Sequence, residues 1–174
     1  MSEQVIDHTV ASAATPGAVF DLLADGSTWP EWSPLGSFEL IEPGDGIPEG
    51  LGAVRLFTTG RHKCRERVVE RRPGEVFSYA LEAGLPLRDY RAVITLTSAD
   101  GGTAIRWRST FRAKVPGTGW LYRWQLDKFI GQTVAGLAAA AAGTRSSPPS
   151  SPPSAPPSSP PSASQPSASQ PSAS

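Results

Sequence analysis

The chain has 174 residues, and its 16 basic and 16 acidic side chains give a formal net charge of zero. This balance excludes a strong overall attraction to nucleic acid, and no nucleic-acid partner is expected. The single cysteine excludes an internal disulfide framework and a zinc site built on paired cysteines. The sequence has no apolar run long enough for a membrane span and no secretory signal at its start, so we expect a cytoplasmic protein.

The composition changes abruptly near the end of the chain. From Ser146 onward only Ser, Pro, Ala and Gln occur, and 10 of the 18 prolines lie there. Such a segment cannot bury enough apolar surface to offset the entropy lost on ordering. The sequence therefore predicts one domain over residues 1–144 and a disordered tail over residues 145–174. Recruitment of a proline-binding domain by the paired prolines is the alternative to a plain solvated tail.

The first elements of the domain are short. Residues 3–13 are a strand candidate, and Thr15-Pro16 opens a short helix that ends near Gly26. The two prolines within residues 29–34 exclude a regular helix there, so a tight turn or a single-turn helix is predicted. Further strands are predicted at 36–42, 52–59, 62–72, 75–83, 90–98 and 103–113.

A long helix is predicted from about residue 118 to residue 142. One of its faces is formed by Tyr122, Leu126, Phe129, Ile130, Thr133 and Leu137. The order of elements predicts an α+β fold: a curved antiparallel sheet of about seven strands wrapped around the C-terminal helix, with short helices between the first two strands. A sheet curved around a helix tends to leave a pocket between the two.

The charges of the domain are segregated along the chain. Residues 1–50 carry nine acidic and no basic side chains, whereas residues 51–128 carry 15 basic and seven acidic ones. We expect the acids of the first segment to lie beside the later strands and to complement their basic outer faces. The alternative is a basic surface for nucleic acid, formed by the arginines at positions 65, 67, 71, 72, 106, 108 and 112.

Glu66 is the first candidate for a functional residue. Alternation along residues 62–72 places His62 and Glu66 on one side of the strand and the cationic Lys63 and Arg65 on the other. Because the cationic side should face water, Glu66 is predicted to point inward, where burial raises the pKa of a carboxyl group. It would then serve as a general acid or base, or as a hydrogen-bonding anchor for a ligand. A one-residue slip or a bulge would instead place Glu66 in solvent.

Other residues are candidates for binding a ligand rather than for catalysis. The candidates on the inner side of the sheet are Tyr79, Tyr90 and Trp107, and those on the helix are Leu126, Phe129 and Ile130. His62 is a second candidate acid or base, and Cys64, on the same side as Glu66, is interpreted as a small buried thiol. No metal-binding motif is present, and neither a metal nor a cofactor is predicted.

Two further indoles stand out on the last helix. Trp120 and Trp124 lie one turn apart and away from the face that includes Leu126 and Phe129. They indicate contact with a protein or a membrane surface, or else packing beneath the loop of residues 43–50.

Several stretches of the sequence resemble the SRPBCC superfamily. They are the turn of residues 29–34, the run Gly84-Leu-Pro-Leu-Arg-Asp-Tyr90, and the stretch from Gly102 through Trp107 and Phe111 to Gly119. Over residues 3–142 the chain is similar to the START-related group of polyketide cyclases/dehydrases and lipid-transport proteins. This resemblance implies a helix-grip fold with a hydrophobic cavity between the sheet and the C-terminal helix. It does not fix an activity, because the superfamily includes lipid carriers, hormone receptors and aromatase/cyclases.

Three functions remain open from the sequence. The first is binding of a small hydrophobic, lipid- or polyketide-like ligand in the cavity. The second is an enzyme of the polyketide cyclase/dehydratase type that uses Glu66 or His62 as an acid or base. The third is a non-catalytic interaction protein whose cavity is filled by side chains. The cavity volume and the polar groups that line it distinguish the three.

Overall fold

The computed structural model describes residues 2–144, and the predicted tail of residues 145–174 lies outside the described residues. The described residues form seven strands, three α-helices and one 3₁₀ turn. The strands are β1 (Gln4–Ser12), β2 (Ser37–Glu42), β3 (Val54–Thr59), β4 (His62–Arg72), β5 (Val76–Ala83), β6 (Leu87–Ala99) and β7 (Gly102–Ala113). The helices are α1 (Pro16–Ala24), α2 (Trp29–Trp32) and α3 (Gly119–Thr144), with the 3₁₀ turn at Gly26–Thr28.

All seven strands belong to one antiparallel sheet. Their order is β1-β7-β6-β5-β4-β3-β2, so β2 to β7 form a meander and β1 pairs with the last strand. Helix α3 packs against β1, β7 and α1, and the buried side chains of the sheet and helices form one core. The predicted helix-grip fold is confirmed, and so is the position of the short helices between the first two strands.

The observed elements follow the predicted ones closely except at the start of β6. This strand begins at Leu87 rather than at residue 90. Leu87 pairs with Ala113 across the sheet, and a bulge between Arg88 and Arg91 absorbs the irregularity. The predicted start was too late because the breaker residues of the preceding turn end at Pro86.

The short helices are fixed by caps and by close packing. Thr15 caps α1, because its hydroxyl oxygen accepts a hydrogen bond from the N–H of Ala18 at 3.3 Å. Helix α3 crosses α2 at Gly136, where a Cβ atom would lie 1.8 Å from the carbonyl oxygen of Trp32. Any larger residue at position 136 would force the two helices apart.

Acidic residues of the first 50 positions lie beside basic residues of later strands, as expected. Asp7 on β1 accepts a hydrogen bond from Arg106 on β7 at 2.9 Å. Glu42 on β2 forms ion pairs with Arg65 and Arg67 on β4. These pairs neutralise part of the arginine-rich outer surface. None of the helices in residues 2–144 is long and apolar enough to span a membrane.

Candidate functional site

A cavity of about 260 Å³ lies between the sheet, α2 and α3. The eight residues proposed from the sequence all line it: His62, Glu66, Tyr79, Tyr90, Trp107, Leu126, Phe129 and Ile130. Its other lining residues are Trp29, Leu35, Thr59, Cys64, Leu81, Leu85 and Thr133. The structure thus brings the candidate residues together, and their contact with a ligand stays a prediction.

Aromatic rings form one wall of the cavity. Trp29, from α2, stacks on Phe57 with a centroid distance of 5.2 Å. It meets Tyr79 and Trp107 edge-on, each at 5.9 Å. The indole N–H of Trp29 donates to the carbonyl oxygen of Leu23 at 3.2 Å, which fixes the orientation of the ring. This wall is therefore held in place before any ligand enters.

Glu66 is buried, with 8% of its surface exposed, and it lines the cavity. The predicted inward orientation is confirmed, and the alternative in solvent is wrong. The pairing of β4 with β5 does shift at Glu66 and again after Val68, but the pairing of β4 with β3 is regular throughout. The regular side of the strand preserves the alternation on which the prediction rests.

The carboxyl group of Glu66 has unusual surroundings. Its Oε2 is buried and has no hydrogen-bond partner among residues 2–144. Burial raises the pKa of Glu66 from an ordinary 4.5 to about 8, although the charge of Arg55 acts in the opposite direction. Near neutral pH this carboxyl is therefore largely protonated and can donate as well as accept a hydrogen bond.

Arg55 was not identified from the sequence. It lies opposite Glu66 on β3 and is only 1% exposed. Its guanidinium donates to the carbonyl oxygens of Leu23 and Ala24, at 3.2 and 2.7 Å, and forms an ion pair with Glu49 at 2.8 Å. This cation therefore ties β3 to the end of α1, where the helix dipole favours positive charge.

A sequence signal for Arg55 did exist. Arg55 and Phe57 are two residues apart and share one face of β3, so the burial of Phe57 implies the burial of Arg55. Its ion-pair partner Glu49 lies in a loop whose path no periodic pattern predicts.

The thiol and phenol groups of the cavity are poorly suited to ionise. Burial, with a smaller contribution from the charge of Glu66, raises the pKa of Cys64 to about 11. Burial likewise raises the pKa of Tyr90 to about 12, and its hydroxyl lies 3.2 Å from the Oγ of Ser109. His62, at the start of β4, is exposed. Cys64, which was interpreted as a small buried thiol, is only half-buried.

Trp107 contributes a second unpartnered polar atom. Its side chain is 1% exposed, and its indole Nε1 has no hydrogen-bond partner within the described part of the chain. Buried donors and acceptors in native proteins nearly always have a partner, either in the protein or in bound molecules. Trp107 and Glu66 both line the cavity, and each carries one buried polar atom without a partner among residues 2–144.

The turn between β5 and β6 brings an unforeseen residue to the cavity. Gly84 has a φ of 111°, and a Cβ atom there would lie 2.1 Å from the carbonyl oxygen of Lys63. Only glycine allows this turn to lie so close to β4, and the contact positions Leu85 at the cavity. The run from Gly84 to Tyr90 carried part of the family resemblance, but Leu85 was not among the ligand-binding residues predicted from the sequence.

Two candidate features lie outside the cavity. Trp120 and Trp124 are 71% and 67% exposed, so the alternative that they pack beneath the loop of residues 43–50 is wrong. Within residues 2–144, no group of three or more His, Cys, Asp or Glu side chains could hold a metal ion.

Comparison with known proteins gives the family of the chain. Residues 3–142 match the family described as polyketide cyclase / dehydrase and lipid transport. The chain belongs to this family. The match spans nearly all of the residues that the structure describes, including every strand and most of α3. No curated protein matches the chain in sequence.

Solved structures agree with this assignment at the level of the fold. Ara h 8.0201 has a TM-score of 0.64 and 22% identity, over 82% of this chain and 97% of its own. A point mutant of norcoclaurine synthase from Thalictrum flavum, in complex with a transition-state analogue, has a TM-score of 0.65 and 15% identity, over 83% of this chain and 98% of its own. The protein XoxI from Bacillus cereus has a TM-score of 0.63 and 14% identity, over 83% and 99%. At such low identity these likenesses show the shared fold alone.

Proposed function

We propose that the protein binds a small, mainly apolar, lipid- or polyketide-like molecule that carries one polar group. The observation that carries this proposal is an open cavity whose lining includes Glu66 and Trp107, each with one buried polar atom, Oε2 and Nε1, that has no partner among residues 2–144. An unpartnered buried polar atom costs about 1–3 kcal/mol. A ligand whose polar group meets these atoms would remove that cost.

The volume of the cavity limits the size of the ligand. An apolar cavity of about 150 Å³ is large enough for benzene. The cavity of about 260 Å³ therefore suits a two-ring molecule or a short chain rather than a whole two-chain phospholipid. The aromatic wall around Trp29 favours a flat ring system, because offset and edge-on contacts between rings are favourable.

The polar group of the ligand follows from the two unpartnered atoms. The indole N–H of Trp107 can only donate, so the ligand must present an acceptor. Glu66, with its pKa raised to about 8, can donate to a carbonyl oxygen or accept from a hydroxyl group. A carbonyl or a hydroxyl on the apolar ligand satisfies both requirements.

The test compares 2-naphthol with 2-methylnaphthalene, which has nearly the same shape but no hydroxyl group. Binding is measured by NMR titration at pH 7 with the wild type and the variants Trp107→Phe and Glu66→Gln. We expect the wild type to prefer 2-naphthol by about tenfold, as one to two hydrogen bonds would give, and Trp107→Phe to reduce this preference. Trp124→Phe, on the exposed surface, is the control and should keep the wild-type preference. Binding of neither compound, or an unchanged preference in Trp107→Phe, would contradict the proposal.

A second candidate function is catalysis of the cyclase/dehydratase type. It is favoured by the carboxyl group of Glu66, since a general acid or base works best when its pKa lies near the working pH. The cavity would hold a poly-β-carbonyl chain in a folded shape while Glu66 moves a proton. With such a substrate, Glu66→Gln should lower turnover by about 10²–10⁴-fold. The variant His62→Gln tests separately whether the exposed histidine contributes to turnover. Equal turnover in the wild type and Glu66→Gln would exclude this role for Glu66.

The third function, an interaction protein, assumed a cavity that is filled by side chains. The cavity is open rather than occupied by side chains. The ligand-binding and catalytic hypotheses both use this open volume, and they differ in whether Glu66 transfers a proton.

A further inference from the structure

The first turns of α3 expose an unusual amount of apolar surface. Trp120 and Trp124 are the most exposed large apolar side chains of the described residues, at 71% and 67%. Residues four apart are neighbours on a helix surface, so the two indoles form one patch. Leu121 beside them and Val115 in the preceding loop are also exposed. We call these four residues and the cations around them the docking surface.

The cations of the docking surface are Lys114, Arg123 and Lys128. None of them forms an ion pair within residues 2–144, whereas Arg65, Arg67 and Arg106 on the sheet are paired with acids. The acid in this part of α3, Asp127, lies 3.0 Å from the imidazole of His8. Two acids, Asp127 and Glu3, which lies between the groove residues Ser2 and Gln4, therefore stand against three cations. The docking surface keeps a small excess of positive charge, although the whole chain has no net charge.

An open groove of about 390 Å³ lies beside Trp120. Its walls combine polar and apolar residues: Ser2, Gln4, Ala113, Val115, Pro116, Gly117, Gly119 and Trp120. The exposed indoles and the apolar part of the groove wall, Val115 and Pro116, therefore lie next to each other at the start of α3.

Exposed indole rings beside cations are suited to binding the surface of a lipid membrane. Indole rings partition to the boundary between lipid and water, because they are apolar but keep one polar N–H. Each Lys or Arg near an anionic bilayer contributes about 1 kcal/mol of attraction. We propose that the surface formed by the start of α3 and the loop before it docks on an anionic lipid membrane.

The position of the docking surface relates it to the cavity. Phe129 and Ile130, which line the cavity, follow Trp124 by five and six residues on the same helix. At 1.5 Å per residue, the separation along the helix axis is about 8 Å. A docked molecule would therefore hold its cavity close to the headgroup layer. The proposal goes beyond ligand binding, and its test needs no ligand.

The experiment measures sedimentation of the full chain with vesicles. Vesicles of phosphatidylcholine with 30% phosphatidylglycerol are compared with vesicles of phosphatidylcholine alone. We expect binding to the anionic vesicles that falls in high salt, because salt screens exposed charges. The double variant Trp120→Ser/Trp124→Ser should lose at least tenfold in partitioning. The double variant Lys114→Gln/Lys128→Gln should also lose at least tenfold, since one charge is worth about fivefold.

A matched control is the double variant Ile47→Ser/Leu51→Ser, which changes two exposed apolar side chains of the loop between β2 and β3. It should bind vesicles as the wild type does, and thermal unfolding should show that all variants are folded. Absence of wild-type binding, or equal losses in this control and in the tryptophan variant, would overturn the proposal. A tryptophan variant that changes only the oligomeric state would overturn it in favour of self-association.

Discussion

Replacing Glu66 with Gln should change how the stability of the protein depends on pH. The substitution keeps the shape of the side chain and removes its ionisation. Burial raises the pKa of Glu66 to about 8 in the folded state, compared with an ordinary value of 4.5. The folded state therefore keeps a proton that the unfolded state releases, and the stability of the wild type decreases as pH rises between these two values.

The size of the effect follows from the two pKa values. Linkage gives a destabilisation by Glu66 of about 1 kcal/mol at pH 5 and about 4 kcal/mol at pH 8. Glu66→Gln does not carry this pH-dependent term. The free energy of unfolding of Glu66→Gln should therefore increase relative to the wild type by about 3 kcal/mol across this range.

Urea unfolding of both proteins at pH 5, 6, 7 and 8, followed by circular dichroism, measures this difference. The control is Glu82→Gln. Burial works to raise the pKa of Glu82, but hydrogen bonds from Arg65 and Arg67 outweigh it, so the pKa is lowered. Glu82 is then ionised in both states above pH 5, and the difference between Glu82→Gln and the wild type should stay constant. A constant difference for Glu66→Gln as well would refute the buried, protonated carboxyl.

Three other predictions have defined outcomes, and the first of them includes a control substitution. Gly136→Ala would bring a Cβ atom 1.8 Å from the carbonyl oxygen of Trp32 and should lower the thermal midpoint by several degrees. Gly143→Ala, on the same helix in open space, should leave it unchanged or raise it. Cys64, whose pKa is raised to about 11, should react with iodoacetamide at pH 8 more slowly than a free thiol, as mass spectrometry would show. Truncation after Arg145 should change the midpoint by no more than about 2 degrees, because the tail sequence has little to bury.

Much of the fold was predictable because the strands alternate clearly. Along β4, the cations Lys63 and Arg65 indicate which side faces water. Because side chains alternate along a strand, Glu66 is then predicted to lie on the opposite, buried side. The helix face that carries Leu126 and Phe129 follows in the same way from the helical period. These inferences need only local periodicity, and the structure agrees with them.

The remaining parts of the site depend on contacts between distant segments. Arg55 is stabilised in the core by Glu49 and by carbonyl groups at the end of α1, and no local pattern brings these groups together. Leu85 reaches the cavity because Gly84 lets a turn lie against β4. The sequence could not predict whether Trp120 is exposed. Helical spacing shows that a residue faces away from the core, but it does not show whether a loop covers that residue.

The pairing of β1 with β7 has a consequence for how the protein folds. Gln4 on β1 pairs with Phe111 on β7, so β1 can join the sheet only after β7 has been synthesised. The meander from β2 to β7 can form by successive short hairpins, whereas closing so long a loop carries a larger entropic cost. Docking of β1 also brings His8 to Asp127 on α3. We therefore expect the cavity to close late, when the N-terminal strand joins a sheet that is otherwise already assembled.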